Sequence, residues 1–341
     1  MLILIYVIIA GIGVPLKPGI DRVAPLSSKA GQSIELQVFG YNSTFSETAS
    51  EKIRVWLEFD SLHAIQSGKV DVKNDTTLLA SFQIPARLPQ NKQSVLLNVI
   101  VDHPTNGVSL LPAALEVLAD TAVNTDAGNW NEHPISQLHV IKDFSYPYRN
   151  VIYETIRNTY FHVPMWFALM FMFIASVYYS IQYLRNPVAE NDRRAVAFTE
   201  TGLLFGFLGL VTGMLWAHYA WGKAWSNDIK QLMTAVALLV YLAYFILRAS
   251  FDEPEKGARL AAVYNIFAFS SLVPLLYIIP RMFASLHPGA TGNPAFGSED
   301  LDNTMRLVFY PSIIGFTMLG VWMAQIRYRS LRLRDRLADI D

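Results

Sequence analysis

The sequence predicts a membrane all-α bundle of about six transmembrane helices, with an inserted extracytoplasmic β-sandwich domain. The composition indicates a membrane protein, because 52% of the 341 residues are hydrophobic and only 16% are charged, whereas soluble domains average about 25% charged residues. The mean hydropathy of +0.28 agrees with this. Apolar runs near the roughly 20 residues that cross a bilayer recur after residue 149. Short segments of alternating apolar residues before residue 118 indicate strands instead.

Charge and cysteine content exclude several function classes. The formal net charge of −1 argues against a general nucleic-acid binder. The chain has no cysteine, which excludes structural disulfides, thiol redox chemistry, thiolate metal sites and covalent c-type haem attachment through C-x-x-C-H. Any prosthetic group must therefore be held without a thioether link.

Residues 1–118 divide into an anchor and a β domain. Leu2–Leu16 is apolar but lacks the basic residues that open a standard signal peptide, so we interpret residues 1–16 as an N-terminal transmembrane anchor. Residues 17–118 are expected to form the extracytoplasmic β-sandwich, in which we find no catalytic constellation and expect a role in partner docking or spacing. Its predicted strands are Ser33–Tyr41, Lys52–Phe59, Leu78–Pro85 and Ser94–Asp102.

The remaining chain is expected to form a linker, a membrane domain and a tail. Residues 119–148 are polar and rich in Asn, Asp and Pro, which indicates a linker. Residues 149–327 are the predicted five-helix membrane domain, opened by an amphipathic surface segment, Arg149–Tyr160. Residues 328–341 are a basic cytoplasmic tail. The predicted membrane helices are Val163–Leu184, Ala197–Leu215, Leu232–Leu247, Leu260–Ile279 and Leu307–Ile326.

Basic residues predict the orientation of these helices in an inner, cytoplasmic membrane. They cluster in alternate connections, and the positive-inside rule places those connections in the cytoplasm. The β domain, the loop that contains Trp221, the Arg281–Asn303 loop and the segment that begins at Phe161 then all face outward. The basic clusters are Arg185, Arg193 and Arg194; Arg248, Lys256 and Arg259; and Arg327, Arg329, Arg332, Arg334 and Arg336.

Four glycines share one face of the second predicted membrane helix. Their spacing of i, i+4, i+7 and i+11 predicts close approach of a neighbouring helix backbone, as small residues allow in lipid. This packing is expected to hold the segment that follows the helix rigidly. The glycines are Gly202, Gly206, Gly209 and Gly213.

A tryptophan-rich segment, Trp216–Thr234, lies between two predicted membrane helices. Tryptophans at such a junction are also typical of the aromatic belt at a membrane surface. Indoles beside a carboxylate and ammonium groups suit a large, flat, amphiphilic ligand held at the outer face of the membrane. The candidate binding residues are Trp216, Trp221, Gly222, Trp225, Asp228 and Lys230.

This segment resembles the tryptophan-rich "WWD" loop of the CcmC/CcsA family, the haem-handling membrane proteins of cytochrome c maturation. The family pattern is close to W-G-x-x-W-x-W-D-x-R/K. Trp221, Gly222, Trp225, Asp228 and Lys230 fall on its positions, whereas Asn227 replaces the third tryptophan. The resemblance covers about residues 149–326 and implies a b-type haem bound without a covalent link.

Two histidines match the family's haem ligands. His162 stands in Tyr-Phe-His-Val-Pro-Met-Trp, similar to the family's H-V-P-x-x-W, and His287 stands in Ser-Leu-His-Pro, similar to its T-L-H-x. The resemblance implies that they are the axial iron ligands; each alone also fits an ordinary interfacial histidine. His218 is either a substitute ligand or a neighbour. Basic residues that would pair with haem propionates, or snorkel to the interface, are Lys223, Lys230 and Arg281.

The resemblance implies a protein that holds haem at the outer face and hands it to a haem chaperone or to apocytochrome c. It would work with ABC-type haem exporter subunits, in contact with membrane lipid and not with nucleic acid. One alternative is a CcsA-like subunit of a synthase that attaches haem directly, which would be lyase-type catalysis rather than delivery. Another is a transporter subunit with an extracellular binding domain, although Glu200 is the lone carboxylate of the predicted spans. A structural anchor for the β domain would leave the tryptophan segment unexplained.

Overall fold

The computed structural model describes residues 1–119, 130, 134–150, 152–287 and 301–338. The chain divides into two compact units. The membrane unit is formed by Met1–Val14 with Glu154–Asp341, and the β unit is formed by Pro15–Tyr153. The outer loop predicted at Arg281–Asn303 lies outside the described residues from position 288 to position 300.

The described residues of the β unit form nine strands in two sheets. One sheet has the order β1-β3-β7-β6 and the other has the order β2-β9-β8-β4-β5, in which β2 and β9 are parallel. Side chains from both sheets form one buried core, so the described residues form a sandwich. The strands are β1 (Gly19–Ala24), β2 (Ser27–Lys29), β3 (Ser33–Tyr41), β4 (Arg54–Asp60), β5 (His63–Gln66), β6 (Lys69–Asn74), β7 (Thr77–Gln83), β8 (Ser94–His103) and β9 (Gly107–Leu118).

The four predicted strands correspond to β3, β4, β7 and β8, and five further strands were missed. The longest of these, β9, contains Pro112, which has no N–H to give to a ladder and is typical of bulges rather than strand centres. The pairing of β8 with β9 shifts register between Leu97 and Val99. At this irregularity the side chain of Asn98 accepts a hydrogen bond of 3.0 Å from the amide of Ala113. A polar side chain thus satisfies backbone that the ladder leaves unpaired.

The described part of the predicted linker contacts the sandwich. Trp130 lies in the sandwich core and its indole N–H donates to the carbonyl of Arg87 at 2.7 Å. The fully buried carboxylate of Asp102 accepts from Arg54 and from the backbone amide of His139, at 3.0 and 2.7 Å. Residues 120–129 and 131–133 lie outside the described part of the chain.

Within the described part of the chain, five helical segments are long and apolar enough to cross a membrane. Each contains one of the predicted membrane helices, so those five predictions are confirmed as apolar helices of spanning length. The short helix α1 (Leu2–Gly13) has 12 residues. The others are α2 (His162–Arg185), which follows a 3₁₀ helix at Tyr153–Tyr160, α3 (Ala189–Trp221), α4 (Ile229–Ala249), α5 (Pro254–Val273), α6 (Ile279–Met282) and α7 (Asn303–Ala338).

A π-helical turn, Pro274–Ile278, joins α5 to α6. Proline has no N–H for the ordinary helical bond, and its ring clashes with the carbonyl four residues earlier. The wider turn keeps the segment helical to the end of the predicted span, and Ser285–His287 follows shortly after it.

The glycine face of α3 packs against α2, which confirms the predicted close approach. A face of four larger side chains on α2 meets the four glycines in antiparallel order, and Gly206 is also covered by Leu238 of α4, at 2.5 Å from an added Cβ atom. A Cβ atom added at a glycine would lie within 3 Å of its partner on α2, which leaves no room for any other residue. The pairs are Gly202 with Phe173 (2.6 Å), Gly206 with Leu169 (2.8 Å), Gly209 with Trp166 (2.9 Å) and Gly213 with His162 (2.7 Å).

Candidate functional site

Helix α3 ends where the tryptophan loop begins. Trp221 is its final residue, and Gly222 follows with φ of +74°, in the left-handed region. Glycine adopts this conformation without the steric cost of a Cβ, and it commonly ends helices in this way. Gly222 therefore serves the path of the chain, and its surroundings are open.

Asn227 is, after Gly222, the second residue of the loop in the left-handed region. It has φ of +57°, which asparagine tolerates better than tryptophan does, and its Oδ1 accepts from the indole N–H of Trp225 at 2.8 Å. Gln231 holds the same loop, because its side chain accepts from the amide of Ser226 at 2.9 Å and donates to the carbonyl of Ala224 at 3.0 Å. The residue that departs from the WWD pattern thus shapes the turn.

Asp228 joins two separate parts of the chain. It is the N-cap of α4, where its Oδ1 accepts from the amide of Lys230 at 2.9 Å. Its carboxylate also accepts from the Ser285 hydroxyl at 3.0 Å, the Leu286 amide at 2.8 Å and Nδ1 of His287 at 3.1 Å. Only 3% of the Asp228 side chain is exposed.

These hydrogen bonds keep the Asp228 carboxyl ionised. Burial alone would raise the pKa of Asp228, but the amides of Leu286 and Lys230 stabilise the charged form more strongly, so the pKa lies below its ordinary value. An ionised carboxylate only accepts hydrogen bonds. The Nδ1 of His287 must therefore carry the proton, and its Nε2 keeps a lone pair.

His287 lies against two tryptophans. Its ring centroid is 4.8 Å from that of Trp221, edge to face, and 6.1 Å from that of Trp216. Burial lowers the pKa of His287, and the charge of Lys230 acts in the same direction, against the opposite effect of Asp228. The neutral imidazole is therefore favoured, which is the form that binds metals.

His162 is held at the start of α2 with its tautomer fixed. Its ring covers Gly213, its Nδ1 lies 3.1 Å from the hydroxyl of Thr212, and its Nε2 lies 3.3 Å from the indole nitrogen of Trp166. Indole only donates, so Nε2 is the acceptor and Nδ1 carries the proton. The Thr212 hydroxyl donates to the carbonyl of Leu208 at 2.8 Å and is free to accept from Nδ1.

The fold brings His162 and His287 together. His162 covers Gly213, and His287 contacts Trp216, three residues further along α3. Residues three apart on a helix are neighbours on its surface. The two imidazoles are close enough to interact electrostatically. Two histidines separated by 125 positions in the sequence thus meet on successive turns of one helix.

Other predicted site residues lie less close to this pair. Trp225 is 37% exposed and its indole is bound to Asn227. His218 is exposed, with its ring centroid 5.2 Å from that of Tyr219. Lys230 lies within electrostatic reach of His287 and of Arg281. Lys223 and Arg281 have exposed side chains.

The family is decided by the match of the membrane unit. The model of heme exporter protein C (CcmC) matches residues 144–340. The chain belongs to the heme exporter protein C family. It is 29% identical to Heme exporter protein C of Bradyrhizobium diazoefficiens over 188 residues, which cover 54% of this chain and 70% of that protein. Heme exporter protein C of Haemophilus influenzae is 24% identical over 182 residues, 53% of this chain and 73% of that protein.

A second group of relatives matches a shorter stretch. Cytochrome c biogenesis protein CcsA of Prochlorococcus marinus is 36% identical over 69 residues, which cover 19% of this chain and 22% of that protein. The predicted membership of the CcmC/CcsA family is therefore confirmed. The chain is a multi-pass membrane protein of the haem-handling family of cytochrome c maturation.

The residues of the site fit haem better than a bare metal ion. Among the described residues, no three histidines, aspartates or glutamates are grouped to hold an ion. A bare zinc ion, for example, takes three or four protein ligands. Haem iron needs only axial ligands from the protein, because the macrocycle supplies the rest. Two imidazoles whose Nδ1 atoms are committed to acceptors, one of them against Trp216 and Trp221, match that requirement.

The hydrogen bonds by which Asp228 connects the start of α4 to Ser285–His287 can be tested by substitution. Asp228→Ala removes the acceptor of the Lys230 and Leu286 amides, so both amides should exchange with solvent at least tenfold faster. The lost cap alone should lower the free energy of unfolding by about 1 kcal/mol. Hydrogen exchange of the full chain in detergent measures the exchange rates of both amides.

Asp302→Ala is the matched control. Asp302 accepts from the amide of Met305 at 2.8 Å at the start of α7, so this variant also loses a helix cap. Protection at Lys230 and Leu286 should stay unchanged in the control. Unchanged protection of Leu286 in Asp228→Ala would show that Asp228 does not hold the segment of His287.

Proposed function

We propose that this protein holds a b-type haem without a covalent link, with His162 and His287 as the axial ligands. One observation carries the proposal: two histidines separated by 125 positions in the sequence meet, and each commits its Nδ1 to an acceptor, so that Nε2 is the nitrogen each would offer to a metal. Orienting partners of this kind are typical of metal-binding histidines. Haem bound there presents its iron to two neutral imidazoles.

The neighbouring residues have distinct roles in this proposal. Trp216 and Trp221 form the aromatic wall of the site, with their ring centroids 5.0 Å apart. Lys230 and Arg281 supply positive charge for the propionates, because charge-assisted hydrogen bonds to carboxylates are strong. Trp225 contributes an aromatic ring and Lys223 a positive charge, both at the exposed edge of the site. Gly222 and Asp228 hold the loop in its conformation.

The proposal places this site at the outer face of the cytoplasmic membrane. The basic connections and the basic end of α7 lie in the cytoplasm by the positive-inside rule, and the β unit lies outside. We count α1 as the sixth membrane helix. Its exposed surface carries isoleucines, and Leu4 packs on Gly315 of α7, which suits a helix between protein and lipid.

The proposed role is delivery of haem to a haem chaperone or to apocytochrome c, alongside ABC-type haem exporter subunits. Delivery is favoured over a CcsA-like synthase because the matches cover 70% and 73% of the two Heme exporter protein C relatives but 22% of the CcsA relative. A transporter subunit is less favoured. Glu200, the carboxylate that such a role would use, is paired with Arg327. The β unit would then serve as a docking surface for the carrier.

The axial ligands are tested by the visible spectrum of the purified, haem-supplemented protein. His162→Ala or His287→Ala should convert a six-coordinate low-spin spectrum to a weaker or five-coordinate one. Added imidazole should restore the low-spin spectrum, because the variant lacks only an iron ligand. Wild-type protein without a Soret band would refute haem binding altogether.

His218→Ala is the matched control for this experiment. Its exposed ring contacts Tyr219 rather than the histidine pair, so its loss should leave the spectrum unchanged. The ligand assignment is wrong if His218→Ala abolishes the low-spin spectrum while His287→Ala keeps it.

The two loop tryptophans should differ in their effect on haem affinity. Trp221→Ala removes a ring in contact with His287 and should weaken haem binding several-fold, since an aromatic pair contributes on the order of 1 kcal/mol beyond burial. Trp225→Ala should have a smaller effect because its ring is bound to Asn227. Haem titration measures both. An equal loss for the exposed Trp322→Ala on α7 would indicate a general effect on the protein instead.

A further inference from the structure

The two histidines of the site are held in different ways. The Nε2 of His162 accepts a hydrogen bond from Trp166, whereas the hydrogen bond of the His287 ring is made through Nδ1, to Asp228. Trp166 lies one helical turn after His162 on α2, and its ring covers Gly209 of α3. The nitrogen of His162 that the proposed function assigns to iron is therefore already occupied by an indole N–H.

The hydrogen bond from Trp166 is suited to exchange. Its donor and acceptor nitrogens are 3.3 Å apart, which is long for a hydrogen bond in a protein. A long hydrogen bond orients the His162 ring in the ligand-free protein, and breaking it costs little free energy. Thr212 holds the other side of the ring at 3.1 Å, so the orientation of His162 does not depend on Trp166 alone.

The partners of the two Nδ1 atoms also differ. The Asp228 side chain lies 3.1 Å from Nδ1 of His287, and a carboxylate at this position strengthens an imidazole as a metal ligand. Thr212 offers His162 a neutral hydroxyl. His287 is thus the stronger donor, and His162 is both weaker and capped.

We propose that Trp166 caps the iron-binding nitrogen of His162, and that His162 is the exchangeable ligand of the pair while His287 is the permanent one. This inference rests on the proposed haem site and assigns Trp166 and Thr212 as its positioning residues. Return of the indole N–H to Nε2 would then compete with the metal and favour release. A site that hands its ligand on needs one contact that opens readily.

The cap is tested first in the ligand-free full-length protein, by the rate at which diethyl pyrocarbonate modifies each histidine. The reagent attacks an unprotonated ring nitrogen that is not engaged elsewhere. Trp166→Phe keeps an aromatic ring over Gly209 and removes the donor, so modification of His162 should become several-fold faster. The exposed His218 is the internal reference and should react at an unchanged rate. Trp322→Phe is the matched control, because its exposed indole on α7 is not part of the site and its loss should leave the rate at His162 unchanged.

The second arm measures transfer of haem from the loaded protein to apomyoglobin. Trp166→Phe should release haem several-fold more slowly than the wild type, and it should bind haem at least as tightly. Faster release would show that Trp166 only supports the fold of the site, and would overturn the inference. So would unchanged reactivity of His162 in the ligand-free variant.

Thr212 provides an independent pair of variants if Trp166→Phe does not insert. Thr212→Val removes the acceptor of the Nδ1 proton and should also raise the reactivity of His162, whereas Thr212→Ser should keep it at the wild-type rate. Equal rates for both variants would contradict the assignment of Thr212. Raised reactivity in a protein that binds no haem would refute the proposed function and leave the cap itself supported.

Discussion

The carboxylate of Asp228 is the interaction on which the candidate site depends. It caps α4 and accepts from Ser285, Leu286 and His287, which follow α6. One buried, ionised group therefore ends one loop and fixes the position of another. A neutral side chain would satisfy fewer of these donors, and an unpaired buried charge would be costly. The protein resolves this by surrounding the carboxylate with amides and one imidazole.

The glycine face of α3 fixes the position of His162, as Asp228 fixes that of His287. Gly213 leaves space for an imidazole where any other residue would place a Cβ atom, and Thr212 beside it accepts the Nδ1 proton. The same helix carries Trp216, against which His287 lies. The same face of α3 thus determines both the packing of the helices and the position of the candidate ligands. Substitutions at Gly209 and Gly213 should alter both.

The sequence predicts the five long membrane helices because their apolar length is a strong and local signal. It predicts β3, β4, β7 and β8 by alternation, but β9 is missed because Pro112 interrupts the pattern and Asn98 repairs the ladder from another strand. The histidine motifs and the tryptophan loop are recognisable by resemblance. The contacts of Trp166, Thr212 and Gln231 are not, because each depends on which faces meet after the helices have packed. The glycine spacing predicted close packing at Gly213, but not that the packed side chain is His162.

His287 lies near His162 because Asp228 fixes the segment Ser285–His287. The chain contains no cysteine, so the double variant His162→Cys with His287→Cys carries a single pair of thiols. A short thiol-specific cross-linker should join them in the full-length, membrane-inserted protein without haem, and adding Asp228→Ala should abolish most of the product. Absence of the cross-link while both thiols remain reactive would contradict the account.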